Sequence, residues 1–314
     1  MQSQVRGLAA ALGYPQPVEK TCSLRLPWRW LPSRPGLATL AAATGDPLAP
    51  PWPDLLISCG RKAGFLSMAL RRAAGGRVRN VHIQDPLAPA EAFDIVVVPA
   101  HDRLRGANVL VSRGALHHVT PALLQRAAAD FAAELDGLPR PRLAVMIGGP
   151  NRYFTLTADW LGGLAGELAA TARGLGGSLL VTVSRRTPEA VVQPLREAIA
   201  GLPHSFWSGE GRNPYLAYLG LADAILVTGD STSMISEACA TGAPVFVAHP
   251  PARRAGPPPK RFAAFYDSFA QAGAIRDWRG GLEELPARGV ALNDTAEIAR
   301  EIAGRLGLAA PGGG

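Results

Sequence analysis

Short apolar runs alternate along this chain with longer stretches whose apolar positions recur every three to four residues. That is the pattern of strands buried on both faces of a parallel sheet and joined by covering helices. In the first half, "DLLISCG" (54–60), "VHIQD" (81–85), "FDIVVVPA" (93–100) and "NVLVS" (108–112) predict strands. "QVRGLAAALG" predicts an opening helix, "KTCSLRLPW" a strand after it, and "GFLSMALRRAAGG" a helix stopped by glycines. Thr120 places a capping hydroxyl before Pro121, a good first-turn residue, so a helix is predicted over 121–136.

The second half repeats the rhythm. "LAVMIGG" (143–149), "SLLVTVSRR", "HSFWSG", "AILVTGD" and "PVFVAHP" predict strands. "TADWLGGLAGELAATARGLGG", "TPEAVVQPLREAIAG", "NPYLAYLGLAD" and "SMISEACATG" predict the helices between them. "PPARRAGPPPKR" (250–261) predicts a loop, because proline there forbids regular structure. The proline-rich "GLPRPR" (137–142) sets the expected boundary between two similar doubly wound α/β domains, residues 1–140 and 141–314. A last helix is expected over 294–307.

At 314 residues the chain has room for two domains with full cores. Hydrophobic residues make up 47% and charged residues 18%, a globular composition. No apolar run reaches the roughly 18–20 residues of a membrane span, and no apolar signal core opens the chain; a cytoplasmic protein is expected. Cys22, Cys59 and Cys239 lack metal-ligand spacing, and so sparse an odd count argues against a disulfide framework.

The net charge of +7 is uneven: residues 1–140 carry 16 Lys and Arg against 10 Asp and Glu. A basic first half suits an anionic partner such as a phosphorylated acceptor or a phospholipid surface, and equally a plain solvated face. The aromatic residues are not interleaved with the cations as stacking on nucleic acid requires.

Candidate chemistry gathers at predicted strand ends. After strand 143–147, Gly148 and Gly149 permit close backbone approach, with Asn151 and Arg152 able to reach a phosphate. Asp230, Ser231, Thr232 and Ser233 crowd a strand–helix junction, and Glu237 follows Ser233 by one turn on the same helix face. A cap alone needs one hydroxyl residue; three suit an anion at the helix amides, with Glu237 placed for sugar hydroxyls. Arg185 or Arg186 suits a diphosphate or plain solvent. In the first half, Gly60, Arg61 and Lys62 open a helix as a candidate anion site, with Asp85 at the next strand end. His101 and Asp102 are the candidate general-base pair, set against the commoner reading of surface residues. No Walker loop, G-x-G-x-x-G, G-x-S-x-G or H-E-x-x-H occurs, and no D-x-D pair for a metal-bound diphosphate, so metal-independent chemistry without a cofactor is expected.

"GRKAGFLSMALRR", "VHIQDP", "FDIVVVPAHD", "GALHHVTP", "IGGPNRYF" and "VTGDSTSMISEACATGAPVFV" together resemble the bacterial branch of the mitochondrial fission family of the plant "elongated mitochondria" type. They resemble, more broadly, the GT-B glycosyltransferases. The resemblance implies a GT-B-like fold of two Rossmann-like domains facing a cleft, with the last helix packing back on the first. It implies a nucleotide-diphosphate sugar as substrate, its diphosphate held by Gly148, Gly149, Ser231, Thr232 and Ser233 and its ribose by Glu237. The acceptor, envelope or lipid-linked, would belong to the first domain, with peripheral contact to the inner membrane. Such domains open with a strand and Gly-rich loop before the first helix, whereas "MQSQVRGLAAALG" starts at the helix, so an earlier native start is expected. The alternatives are a nucleotide-sugar epimerase and a non-enzymatic adaptor at a membrane.

Overall fold

The computed structural model describes residues 2–31, 33–254 and 260–309. They fall into two compact units, residues 1–118 with 294–314 and residues 119–293.

The first unit opens with helix α1 (Gln2–Ala11) and an antiparallel pair, β1 (Cys22–Leu24) and β2 (Ala43–Gly45). Four parallel strands follow, β3 (Leu55–Cys59), β4 (Arg79–Ile83), β5 (Ile95–Pro99) and β6 (Val109–Ser112), in chain order across the sheet. Helix α2 (Arg61–Ala73) crosses from β3 to β4. The unbroken apolar run of β5 reflects cover on both faces. Ile95 and Val97 pack with Leu8 of α1 and Ile302 of the last helix, while Val96 and Val98 pack with Phe65 of α2.

The second unit runs α3 (Pro121–Asp130), α4 (Ala132–Leu135), β7 (Arg142–Ile147), α5 (Ala158–Gly174), β8 (Ser178–Val183) and α6 (Glu189–Ile199). It continues with β9 (His204–Trp207), α7 (Tyr215–Leu221), β10 (Ala224–Thr228), α8 (Thr232–Cys239), β11 (Val245–Ala248), α9 (Lys260–Gln271) and β12 (Arg276–Asp277). All six strands are parallel, in the order β12-β11-β10-β7-β8-β9. From β7 the chain therefore winds outward through β8 and β9, then returns to β10 and winds the other way. The neighbours β7 and β10 form the topological switch point, the place where ligands of open parallel sheets bind.

Helix α10 (Asp294–Leu306) closes the chain in the first unit. Its Asp294 Oδ2 accepts from the Arg113 and Gly114 amides, and Thr295 Oγ1 accepts from the His117 amide at 3.0 Å.

The structure corrects the sequence-based outline at three places. The unit boundary lies at 118/119 instead of 140/141, because α3 packs against α7: a side chain at Gly220 would come within 2.9 Å of the Leu124 carbonyl oxygen. The "KTCSLRLPW" strand shrinks to Cys22–Leu24 and then enters a turn. The loop predicted over 250–261 ends in helix, since α9 starts at Lys260; its residues 255–259 lie outside the described residues.

Candidate functional site

The strands at the switch point end in two glycine-containing turns, Gly148–Gly149 after β7 and Gly229–Asp230 after β10. Hydrogen bonds stitch the turns together. The Gly148 amide donates to Thr228 Oγ1 at 2.7 Å and the Gly149 amide to Asp230 Oδ2 at 2.9 Å. Thr228 Oγ1 in turn donates to Asp230 Oδ1 at 2.6 Å, and Asn151 Nδ2 donates to the Asp230 carbonyl at 3.2 Å. Glycine is required at 148 by proximity: a Cβ there would lie 2.2 Å from Asp230 Oδ2. Asn151 Oδ1 also accepts from the Tyr153 and Phe154 amides, folding the loop back on itself. From the turn between β8 and α6, Thr187 Oγ1 donates to the Gly148 carbonyl at 2.6 Å.

This geometry changes the roles expected of three residues. The Gly148 and Gly149 amides already have acceptors inside the protein, and Asp230 is 6% exposed and joins the two turns. Burial pushes the Asp230 carboxyl above its usual range, while the bonds from Thr228 and Gly149 pull it back. Asp230 thus ties the two turns together.

Helix α8 starts at the edge of this stitched pair. Ser231 is its N-cap, with extended backbone and a side chain accepting from the Met234 amide at 3.4 Å. Helix geometry leaves the Thr232 and Ser233 amides without an intrahelical acceptor. The Ser233 side chain is exposed and that of Thr232 half-buried. One turn on, Glu237 is 8% exposed, and its Oε2 accepts from the Tyr215 hydroxyl at 2.6 Å. Burial, reinforced by the Glu237 charge and this bond, raises the Tyr215 phenol well above its ordinary pKa. The hydroxyl therefore stays a donor.

Cations ring the turns. Arg185 and Arg186 are exposed where β8 ends, and a side chain at Gly149 would touch Arg186 Cβ at 2.9 Å. Arg152 and Arg261 both lie over the Tyr153 ring, 4.5 and 4.7 Å from its centroid.

The first-unit candidates lie on separate strand ends. Gly60, at φ +85°, precedes α2 and gives it no side-chain cap, with Arg61 exposed and Lys62 half-buried. Asp85 closes a local turn, its Oδ1 accepting from the Leu87 amide at 2.8 Å. His101 and Asp102 are half-buried on the loop after β5.

Sequence reasoning missed Tyr215, which opens the predicted "NPYLAYLGLAD" helix. Nothing local marks its pairing with a carboxylate 22 residues on. His249 follows β11, and its Nε2 lies 3.1 Å from Asp277 Oδ1.

The model of the family described as "Mitochondrial fission ELM1" matches residues 1–306. The Arabidopsis thaliana mitochondrial fission protein ELM1 is 32% identical over 286 residues, which cover 83% of this chain and 65% of that protein. A Rickettsia prowazekii (strain Madrid E) protein, RP120, is 25% identical over 63% of this chain and 65% of its own length. The matches thus span just under two thirds of each of these relatives. Among solved structures, the UDP-GlcNAc 2-epimerase of Methanocaldococcus jannaschii is similar at a TM-score of 0.48 and 13% identity, covering 79% of this chain and 69% of that one. MurG of Acinetobacter baumannii is similar at 0.40 and 12%, covering 81% and 65%. With the family model matched along nearly the whole chain, this protein belongs to the mitochondrial fission ELM1 family.

Proposed function

We propose that the second unit binds a nucleoside diphosphate sugar at the β7–β10 switch point. In this reading the protein transfers the sugar, without a metal, to an envelope or lipid-linked acceptor. The observation that carries it is the pairing of Tyr215 with Glu237 one turn beyond the open amides of α8. A buried carboxylate held by a neutral donor is an acceptor for sugar hydroxyls, and the amides before it favour phosphate.

In this reading the Thr232 and Ser233 amides take diphosphate oxygens and Arg185 and Arg186 add charge. Glu237 accepts from the ribose. Negative charge grows on the diphosphate as the bond to the sugar breaks, and the helix start and the arginines stabilise that change. The general base is left unassigned.

One observation favours a second reading. The Gly148 and Gly149 amides are already bonded to Thr228 and Asp230, so the turn brings fewer free donors than a phosphate-binding turn usually offers. A non-enzymatic adaptor that keeps the fold needs no such donors. Incubating the full chain with UDP-, GDP- and ADP-sugars and a membrane extract separates the two. Release of a nucleoside diphosphate with labelling of the extract supports transfer. No release and no labelling with any donor, by the wild type and Glu237→Ala alike, supports the adaptor.

A further inference from the structure

The carboxyl ends of β11 and β12 carry a histidine–carboxylate pair that the nucleotide-sugar reading does not use. His249 stands just past β11, Asp277 is the last residue of β12, and β10 with its Gly229–Asp230 turn is the next strand inward. Backbone bonds hold these ends in step. The Gly229 amide donates to the Ala248 carbonyl at 2.8 Å, and the Trp278 amide to the Val247 carbonyl at 2.9 Å. The two side chains meet there, His249 Nε2 lying 3.1 Å from Asp277 Oδ1.

The pairing fixes what each ring nitrogen does. A carboxylate at Nε2 keeps a proton on that nitrogen, so Nδ1 is the atom that gains and loses one. Nδ1 has no hydrogen-bond partner among the described residues, and it faces the β10 turn. Gly229 does not take up the left-handed backbone, so what its missing side chain provides is space. A Cβ there would lie 2.9 Å from Nδ1 and 3.1 Å from the Tyr266 hydroxyl oxygen. The other groups nearby are already engaged. Tyr266 of α9 meets the imidazole edge-on at 4.8 Å and donates its hydroxyl to the Gly229 carbonyl. Burial, with the Asp230 charge, raises that phenol, so it stays neutral. Asp230 spends its carboxylate on Thr228 and the Gly149 amide, and Arg253 and Arg254, beyond Pro250, are exposed.

We propose that His249, oriented by Asp277, is the titrating contact of this site: as imidazolium it donates from Nδ1 to a phosphate oxygen of the nucleoside diphosphate. The inference rests on the nucleotide-sugar reading and adds a pH-dependent grip on the leaving group. The turn that Nδ1 faces runs within two residues into the Ser231 cap of α8, whose first amides that reading gives to the diphosphate. Histidine changes charge near neutral pH, and a charge-assisted bond is roughly twice as strong as a neutral one. Binding therefore weakens as pH rises and the imidazolium is lost. The same donor strengthens its bond as negative charge grows on the departing phosphate.

The test is titration calorimetry of the full chain with UDP, GDP and ADP, free and as their sugars, at pH 6 and pH 8. Wild type is expected to bind at least one of them about tenfold more tightly at pH 6. His249→Gln should lose about tenfold at pH 6 and little at pH 8, removing most of that difference. Asp277→Ala, which frees the ring, should weaken binding at pH 6 and add little in the His249→Gln background. Wild-type binding whose pH ratio His249→Gln preserves overturns the inference while the nucleotide-sugar reading stands. Equal losses at both pH values overturn it too, and mark the ring as structural. Binding of none of these ligands at either pH overturns the inference together with the reading on which it rests.

Discussion

The Tyr215 hydroxyl donates to Glu237 Oε2 across 2.6 Å, joining the start of α7 to the second turn of α8. A hydrogen bond to a charged group contributes about 1.5–3 kcal/mol. Tyr215→Phe should therefore destabilise the protein by about 2 kcal/mol in urea unfolding. Paired with Glu237→Gln it should cost less than the sum of the single changes. Strict additivity would show that the bond is not made in solution.

Gly148 faces Asp230 so closely that a methyl group cannot enter without moving the carboxylate. Gly148→Ala should cost about 1–3 kcal/mol by overpacking and loosen the bond from the Gly149 amide. In the Asp230→Ala background the same change should cost much less, because the clashing atoms are gone. Equal cost in both backgrounds would contradict the stitched geometry.

Two buried imidazoles set a pH window. Burial lowers His82 and His117 to about 4, from 6.5 in the unfolded chain. Between those values the unfolded chain binds more protons than the folded one, so stability falls as pH drops from about 6.5 to about 4. Each group contributes about 3 kcal/mol across that window. His82 Nδ1 lies 2.8 Å from Ser58 Oγ, so His82→Asn keeps a polar side chain there while removing the titration. Urea midpoints at pH 7 and pH 4.5 should differ less in His82→Asn than in the wild type; an unchanged difference would contradict the assignment.

The last helix belongs to the first core although nearly 180 residues separate it from its partners. Ile302 is fully buried with Leu8, Val81 and Ile95. Ile302→Ala should cost about 2–5 kcal/mol. Hydrogen exchange should show the loss in β4 and β5, not in β7 and β10; loosening of β7 and β10 instead would place the helix with the other unit.

How much of this was legible depended on how local each signal was. The parallel strands announced themselves because burial on both faces demands unbroken apolar runs, as in "IVVV" of β5 and "LAVMI" of β7. The capped starts of α3 at Thr120 and of α8 in the Ser231 cluster were also local signals, since a hydroxyl next to a helical run has few other uses. The unit boundary was hidden because α3 packs on α7, about 90 residues away, while the prolines near 140 merely lead into β7. In the site, the sequence pointed to Asp230 and Glu237 as residues of interest but not to their partners. Asp230 turns inward to the Gly149 amide and Glu237 to Tyr215, and such long-range bonds leave no periodic trace.

The central claim is that the β7–β10 switch point holds a nucleoside diphosphate sugar through the start of α8 and Glu237. Titration calorimetry of the full chain against UDP-, GDP- and ADP-sugars, wild type beside Glu237→Ala, tests it most directly. The account predicts saturable one-to-one binding of at least one of them, weakened at least tenfold in Glu237→Ala, the loss of about 1.4 kcal/mol or more expected for a charge-assisted bond. Absence of binding heat for every nucleotide sugar, or equal affinity in the two proteins, would contradict it.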